Sequence, residues 1–407
     1  MLHQDNPTAS GSHWGLNALT YAREVCSLAP GRGSATEGEA RAAGYVAEKL
    51  DALGVAAVIR QPFSGLRSIW IFLSMAFGFA LAGHAAFWLL PTSVGALPAA
   101  GVMLLGFAFS AYLLWRKFTF RDYPLRQALP HGPSQNVIAR LPPEGILRHQ
   151  VVLVGHLDSH RAVLWYANDY LLKLYALSAP VAVYGVLLAP LFYSLAAITA
   201  WQFLAWLGVI LGIIHFLAWL SGVTADLGPY SPGANDNASA VGSLLALAER
   251  LQQEPLQHTQ VWLLFSGCEE TGCDGMRFFL KEHGQGLKEA LFIDFELVGI
   301  GDCLYYLRNE GLLHRQRIAV EVEQRLVAAG EGLDLRPVEL AGFGAFTEIG
   351  TVWEYGHRGA CLSAGFSTKR GLPEWHRLTD QPERLQAETL ERVQALTWRV
   401  LRTIDAE

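Results

Sequence analysis

Four long stretches almost free of charge interrupt a chain that otherwise reads as ordinary α/β sequence. They constrain the fold more than any other feature. Residues 68–90, 96–115 and 196–222 contain no Asp, Glu, Lys or Arg, and residues 171–195 contain only Lys173. A helix needs about 20 apolar residues to cross a bilayer, so each run is long enough. Trp70, Trp88, Tyr112, Trp115, Tyr193, Trp201, Trp206 and Trp219 decorate these runs, as aromatic side chains do at membrane interfaces. The runs pair into two hairpins, at residues 68–116 and 170–222, with turns expected at 91–95 and 193–197. The pieces left over, 1–67, 117–169 and 223–407, are then one discontinuous soluble domain.

Both hairpins leave and return on one side. The flanks on that side carry Arg60, Arg67, Arg116, Lys117, Arg121, Arg126 and Lys173, whereas the two turns carry no Lys or Arg. The positive-inside rule therefore predicts a multi-pass protein of the inner or plasma membrane with its soluble domain in the cytoplasm. Residues 1–10 have neither the basic nor the apolar segment of a signal peptide. The odd count of five cysteines, without a C-x-x-C pair, argues against a disulfide framework and fits a reducing compartment. A formal net charge of −6 gives no reason to expect nucleic acid. The lipid bilayer is an expected partner; oligomeric state leaves no mark.

In the soluble pieces, helical and strand patterns alternate. Helices are expected at 14–29, 37–53 (capped by Ser34 or Thr36), 241–251, 275–283, 314–329 and 383–404. Strands are expected at 55–63, 134–141, 150–154, 260–265, 290–297, 335–340 and 359–364. This order predicts an α/β fold, a mixed central sheet with helices on both faces, to which the two hairpins add four transmembrane helices.

Five segments supply metal-type ligands. His156 follows a buried strand and stands two residues before Asp158. Asp236 lies in the turn P-G-A-N-D-N-A-S before an apolar helix. Glu269 and Glu270 sit in S-G-C-E-E-T-G. Glu296 ends L-F-I-D-F-E, and His376 lies in E-W-H-R-L-T-D. Sites in open α/β sheets form at the carboxyl ends of strands, where three of these segments fall. Two histidines and three carboxylates suit a pair of zinc-like ions sharing one carboxylate, Asp236. A water between the ions would lose its proton near neutral pH, and a further carboxylate must take and return that proton. Of the adjacent glutamates, one serves as ligand and the other as base. Asp158 is near enough to orient His156. Asp380, four residues after His376, reads as a turn cap or a supporting group. Glu348 and His357 are near only in sequence. His84 and His215, inside spans, are candidates for a hydrogen bond between helices.

In this order the segments G-R-G-S-A-T-E-G-E-A-R-A-A, S-Q-N-V-I-A-R-L, G-H-L-D-S, P-G-A-N-D-N-A-S-A, G-C-E-E-T-G, F-E-L-V-G-I-G and W-H-R-L-T-D resemble the M28 zinc peptidases, the aminopeptidase-like group. The resemblance implies two Zn2+ ions per chain, with His156, Asp236, Glu270, Glu296 and His376 as ligands. It implies Glu269 as general base acting on a metal-bridging hydroxide, and Asp158 as partner of His156. The expected reaction is hydrolysis of N-terminal peptide bonds. Its expected substrates are peptides, hydrophobic or membrane-associated ones among them, because the second hairpin is inserted between two ligand segments. The chain departs from the family where Glu296 stands in place of a more usual Asp, which leaves Asp294 as a fallback ligand. It departs again at Ala341-Gly342, where a Ser-Asp pair is common. Two rivals share the fold: a glutaminyl cyclase-like acyltransferase with one zinc, and a receptor or scaffold without catalysis.

Overall fold

The computed structural model describes residues 13–119, 121, 124–340, 345–365 and 372–407. Residues 1–10 and the Ala341-Gly342 pair lie outside them. Two helices open the chain, α1 (Trp14–Leu28) and α2 (Glu37–Ala52). Neither expected cap bonds α2. Thr36 Oγ1 donates to the Gly33 carbonyl and Ser34 Oγ to Asp158, while Glu39 in the first turn accepts the Ala35 N–H. Strand β1 (Ala57–Leu66) leads into the first apolar hairpin: α3 (Ile69–Leu89), the single turn α4 (Pro91–Val94) and α5 (Ala96–Phe118). Strands β2 (His131–Leu141) and β3 (His149–His156) precede the second, α6 (Asp169–Thr199) and α7 (Gln202–Ala225).

The remainder runs α8 (Ser239–Gln253), β4 (Thr259–Ser266), α9 (Asp274–His283), β5 (Leu291–Phe295), β6 (Leu304–Glu310), β7 (Gln316–Arg317), α10 (Val320–Ala329), β8 (Leu335–Glu339), α11 (Glu348–Glu354), β9 (Arg358–Ser363) and α12 (Ala387–Asp405). Two sequence expectations need correction here. The turn of the second hairpin is not at 193–197: α6 continues through Pro190 to Thr199, and the reversal falls at Ala200, in the left-handed region at φ 58°. An unbroken apolar run offers no local stop signal, so the boundary could not be read from pattern. The helix expected at 314–329 begins only at Val320, because Gln316 and Arg317 pair with Glu310 and Asn309 at the sheet edge. Strand β6 and helix α11 had no clear pattern in the sequence.

The nine strands among the described residues form one mixed sheet in the order β1-β2-β4-β3-β5-β9-β6-β7, with β8 beside β6. Its centre, β4-β3-β5-β9, is parallel, and β1 and β2 close one side antiparallel. The central strands are buried on both faces, which is why they read as continuous Val, Leu, Ile and Phe. Helices cover both sides. Gly155 of β3 lies under Ala240 and Leu244 of α8, whereas Trp262 of β4 meets Phe279 of α9 on the opposite face. Helices α1 and α12 pack with α8.

The four apolar helices pack on one another, α3 against α5 and α7, and α6 against α5 and α7. They carry exposed Leu97, Leu105, Leu187, Ile198, Trp206, Ile210 and Ile213, an apolar surface far larger than a soluble monomer keeps in water. All four have the length and composition to cross a membrane.

Candidate metal centre

Three parallel strands end side by side and deliver most of the chemistry. His156 is the last residue of β3, opposite Ser266, the last of β4. Glu296 follows Phe295 at the end of β5, and its N–H donates to the Leu362 carbonyl of β9. Glu269 and Glu270 lie on the loop after β4. Asp236 comes from the turn before α8, and His376 from the loop after β9, with a positive φ of 57°. Gly233 opens the Asp236 turn at φ +65°; a Cβ there would stand 2.7 Å from the Asp236 carbonyl oxygen and the Ser159 Cβ, so the turn requires glycine.

The five expected ligands converge. Asp236 directs Oδ1 to His156 Nε2 at 3.3 Å and Oδ2 to His376 Nε2, also at 3.3 Å. Glu296 Oε2 approaches His156 Nε2 to 3.5 Å, and Glu270 Oε2 approaches His376 Nε2 to 3.2 Å. Two sets of one histidine and one carboxylate thus share the two oxygens of a single aspartate. Within the trio His156, Asp236 and Glu296, the ligand atoms lie within 4.8 Å of one another, and so do those of His156, Glu269 and Glu270.

The donor set fits metal ions. Among the described residues, both Asp236 oxygens, His156 Nε2 and Glu270 Oε1 are buried and make no hydrogen bond. Buried polar atoms are rarely left so, and a buried charge without a partner costs several kcal/mol. Burial and crowding act together on the carboxylates. Burial pushes Glu269 well above the usual carboxylate range; the Glu296 and Asp158 charges add to this, against the pull of His156. Glu270 is raised by burial and then by Asp236 and Glu269, and Glu296 rises to about 8 chiefly through burial. Cations would relieve this crowding. His376 is held well below the ordinary histidine range, by burial and then by His160 and His156, which keeps its imidazole in the neutral, ligating form.

Asp158 serves the site differently from a simple histidine partner. His156 Nδ1 bonds the Asp158 main-chain carbonyl at 3.0 Å, and the carboxylate lies 3.4 Å away. That carboxylate accepts the N–H groups of Glu269 and Glu270, both at 3.1 Å, and the Ser34 hydroxyl at 2.6 Å. It therefore fixes the glutamate loop as well as the histidine. Despite full burial, these donors and His156 hold Asp158 below its ordinary range.

Several supporting residues escaped the sequence reading. Arg32 is fully buried and donates to the carbonyls of Leu157, Pro232 and Gly233, tying the His156 loop to the Asp236 turn. Glu39 accepts from Ser134 Oγ and from the N–H of Cys268. His160 stacks on His376 with ring centroids 3.8 Å apart. Glu348, expected to be near only in sequence, is fully buried and accepts from Ser266 Oγ at 2.7 Å, at the end of the strand beside His156. His357 does lie elsewhere, bonded to Leu287. Asp294, the fallback ligand, accepts the Ile349 N–H at 3.3 Å and joins none of the ligand trios among the described residues.

The surroundings include the apolar helices. The cavity over the centre, about 70 Å³, is lined by Glu269, Glu270 and His376 on one side and by Trp70, Leu73, Phe118 and Tyr175 of α3, α5 and α6 on the other.

Fold and site together define an α/β protein of the zinc aminopeptidase-like fold. The structure aligns with a Zn-dependent exopeptidase from Parabacteroides distasonis over 95% of this chain and 97% of that one, at 14% identity and a TM-score of 0.55. The zinc aminopeptidase BSAP of Bacillus subtilis aligns over 96% and 95%, at 14% identity and a TM-score of 0.55. A glutaminyl cyclase from Bacteroides thetaiotaomicron, bound to N-acetylhistamine, aligns over 95% and 97%, at 15% identity and the same TM-score. No curated protein matched the sequence. The profile of Peptidase family M28 matches residues 222–401.

Proposed function

We propose that this chain is a membrane-embedded, zinc-dependent aminopeptidase that hydrolyses N-terminal peptide bonds at a two-metal centre. The observation that carries the reading is Asp236, whose two oxygens face two separate histidine–carboxylate pairs. His156, Asp236 and Glu296 would hold one ion, and His376, Asp236 and Glu270 the other. Bound zinc would lower the pKa of water and polarise the scissile carbonyl.

The chain's own groups do the rest. Glu269 is buried beside the ligand Glu270, within reach of the metal positions, as suits a group that must accept a proton and give it back. It takes the proton of the attacking water as the C–O bond forms, and returns it to the leaving nitrogen as the C–N bond breaks. Asp158 holds the backbone under Glu269, so the base keeps its position through both transfers. The described apolar helices anchor the protein in a bilayer. Basic flanks put the catalytic side in the cytoplasm, and the revised turn near Ala200 still carries no Lys or Arg.

A single-zinc acyltransferase is the second reading, because Asp236 and Glu270 both approach His376 Nε2 without His156. Zinc content separates the two: two ions per chain favour the peptidase, one the acyltransferase. The decisive test incubates the zinc-loaded protein, in nanodiscs, with a mixed peptide library and maps the cleavage positions. Removal of single N-terminal residues, reduced roughly 10²- to 10⁴-fold in Glu269→Gln with zinc retained, is the expected outcome. No cleavage by the wild-type protein would overturn the reading.

A further inference from the structure

The cavity over the metal centre adjoins a second one among the membrane helices. Trp70, Leu73, Phe118 and Tyr175 form its far wall, and the same four residues are the near wall of a second cavity of about 190 Å³ within the helix bundle. Beyond them that chamber is bounded mostly by apolar side chains, Phe77, Ala179, Ala182, Val183 and Ile214 among them, with Ser178 and the hydrogen-bonded Trp165–Ser221 pair as its polar lining. An apolar cavity of about 150 Å³ is large enough to take up benzene, so this one can hold a substantial hydrocarbon group. Its outer rim includes Leu174 and Leu217, which are 41% and 47% exposed on the flank that a bilayer would cover.

The junction is also equipped to hold something polar. Trp70 is 5% exposed, and its indole N–H has no acceptor among the described residues. Its ring meets His160 edge-on at 5.7 Å, and His160 stacks on His376. A molecule with an amide at the metals and a hydrocarbon group running past Trp70 would satisfy both halves. An acceptor on it could take the indole hydrogen.

We infer that the chamber between the helices is a substrate subsite: it takes a long, unbranched hydrophobic side chain borne by the residue whose amide is cleaved. The inference rests on the peptidase reading for what sits at the metals. It follows that the apolar helices do more than anchor the domain, because they build half of the binding cleft. The preferred substrates are N-terminal residues with linear apolar side chains, delivered along the bilayer surface.

The test uses the full chain in nanodiscs, zinc-loaded, with a series of aminoacyl 4-nitroanilides from alanyl through norleucyl to 2-aminooctanoyl. Each added methylene that reaches the chamber is expected to raise kcat/KM roughly fourfold. Ala182→Trp and, in case it does not fold, Ala179→Trp fill the chamber, and each should collapse the ratio of long-chain to short-chain kcat/KM. A flat series, or a ratio unchanged in a folded tryptophan variant, overturns the inference while leaving the peptidase reading intact. A diazirine-bearing 2-aminooctanoyl amide gives a readout that needs no turnover. Cross-links to Trp70, Phe77 or Ala179 support the subsite even if no anilide is hydrolysed, in which case the peptidase reading fails alone. Cross-links confined to the outward-facing Leu187 or Ile210 mean that lipid fills the chamber, and overturn the inference.

Discussion

Asp380 holds Asp236 from behind, through the backbone. Its Oδ2 accepts the Asp236 N–H at 3.1 Å and its Oδ1 the Asn235 N–H at 2.8 Å, and the carboxyl group is fully buried. The residue that faces both histidines is thus positioned by another carboxylate that touches neither. Asparagine is nearly isosteric, but its NH2 would confront one of those N–H donors. Asp380→Asn is therefore expected to weaken zinc binding by roughly 10- to 100-fold, the usual effect of losing a supporting hydrogen bond behind a ligand. Competition against a chelator measures it, and unchanged affinity would mean that the turn holds its shape without Asp380.

Glu296 and Asp294 lie two residues apart, and the sequence left either as a ligand. Glu296 Oε2 is 3.5 Å from His156 Nε2 and accepts from Asn237 Nδ2 at 3.2 Å. Asp294 instead caps the start of α11 at the Ile349 N–H, and burial pushes it up to about 7. Glu296→Ala is expected to lose one zinc per chain. Asp294→Asn should keep both and change the melting temperature instead. Metal analysis of the two purified variants decides the point, and loss of zinc from Asp294→Asn alone would reverse the assignment.

These two cases mark how far the sequence could be read. Metal ligands need a chemical type and a place at the end of a strand, and both leave traces in pattern: His156, Asp236, Glu270, Glu296 and His376 stand next to strand ends or turns. Groups that hold the ligands act through backbone atoms, and any donor or acceptor can do that, so spacing does not reveal them. Arg32 is the clearest example. It lies in G-R-G-S, a loop that reads as solvent-facing, yet it is fully buried and bonds three carbonyls more than 120 residues away. The one available signal was an arginine flanked by two glycines. Helix ends inside the apolar runs were equally silent, because neither Pro180 nor Pro190 stops α6. Strand β6 went unread because Leu304-Tyr305-Tyr306-Leu307 followed by Arg308-Asn309-Glu310 has no period-two alternation.

Asp405 ties the end of α12 to the loop before β4. Its oxygens accept the N–H groups of Gln257 at 2.9 Å and His258 at 2.7 Å. Burial pushes this carboxyl up, but those donors outweigh it and hold Asp405 below the ordinary range. A folded-state pKa below the unfolded one gives stability that is present above the unfolded value of about 3.9 and is lost as pH falls through the folded one. Asp405→Asn should therefore cost about 1 kcal/mol at neutral pH, with the difference from wild type shrinking as the pH falls below about 4. Melting temperatures at both pH values check the sign; a gap that widens in acid would contradict it.

Within the helix bundle, His84, His215 and Tyr193 form a chain whose proton positions follow from its last acceptor. His215 Nε2 lies 3.0 Å from the Ala182 carbonyl, so it must carry the hydrogen, which leaves Nδ1 as an acceptor. His84 Nε2, 2.9 Å from that Nδ1, must then donate, and His84 Nδ1 accepts the Tyr193 hydroxyl at 2.7 Å. Three helices, α3, α6 and α7, are joined by this run, and Gly185 and Gly212 make room for the two rings. Where water is scarce, breaking the run leaves an unpaired hydroxyl on one side and an unpaired ring nitrogen on the other. His84→Leu should cost roughly 1–2 kcal/mol. His84→Leu/His215→Leu should cost less than the sum of the two single variants, because each already breaks the bond they share. Thermal unfolding of the single and double variants in nanodiscs measures the coupling, and strict additivity would show that the two rings do not bond.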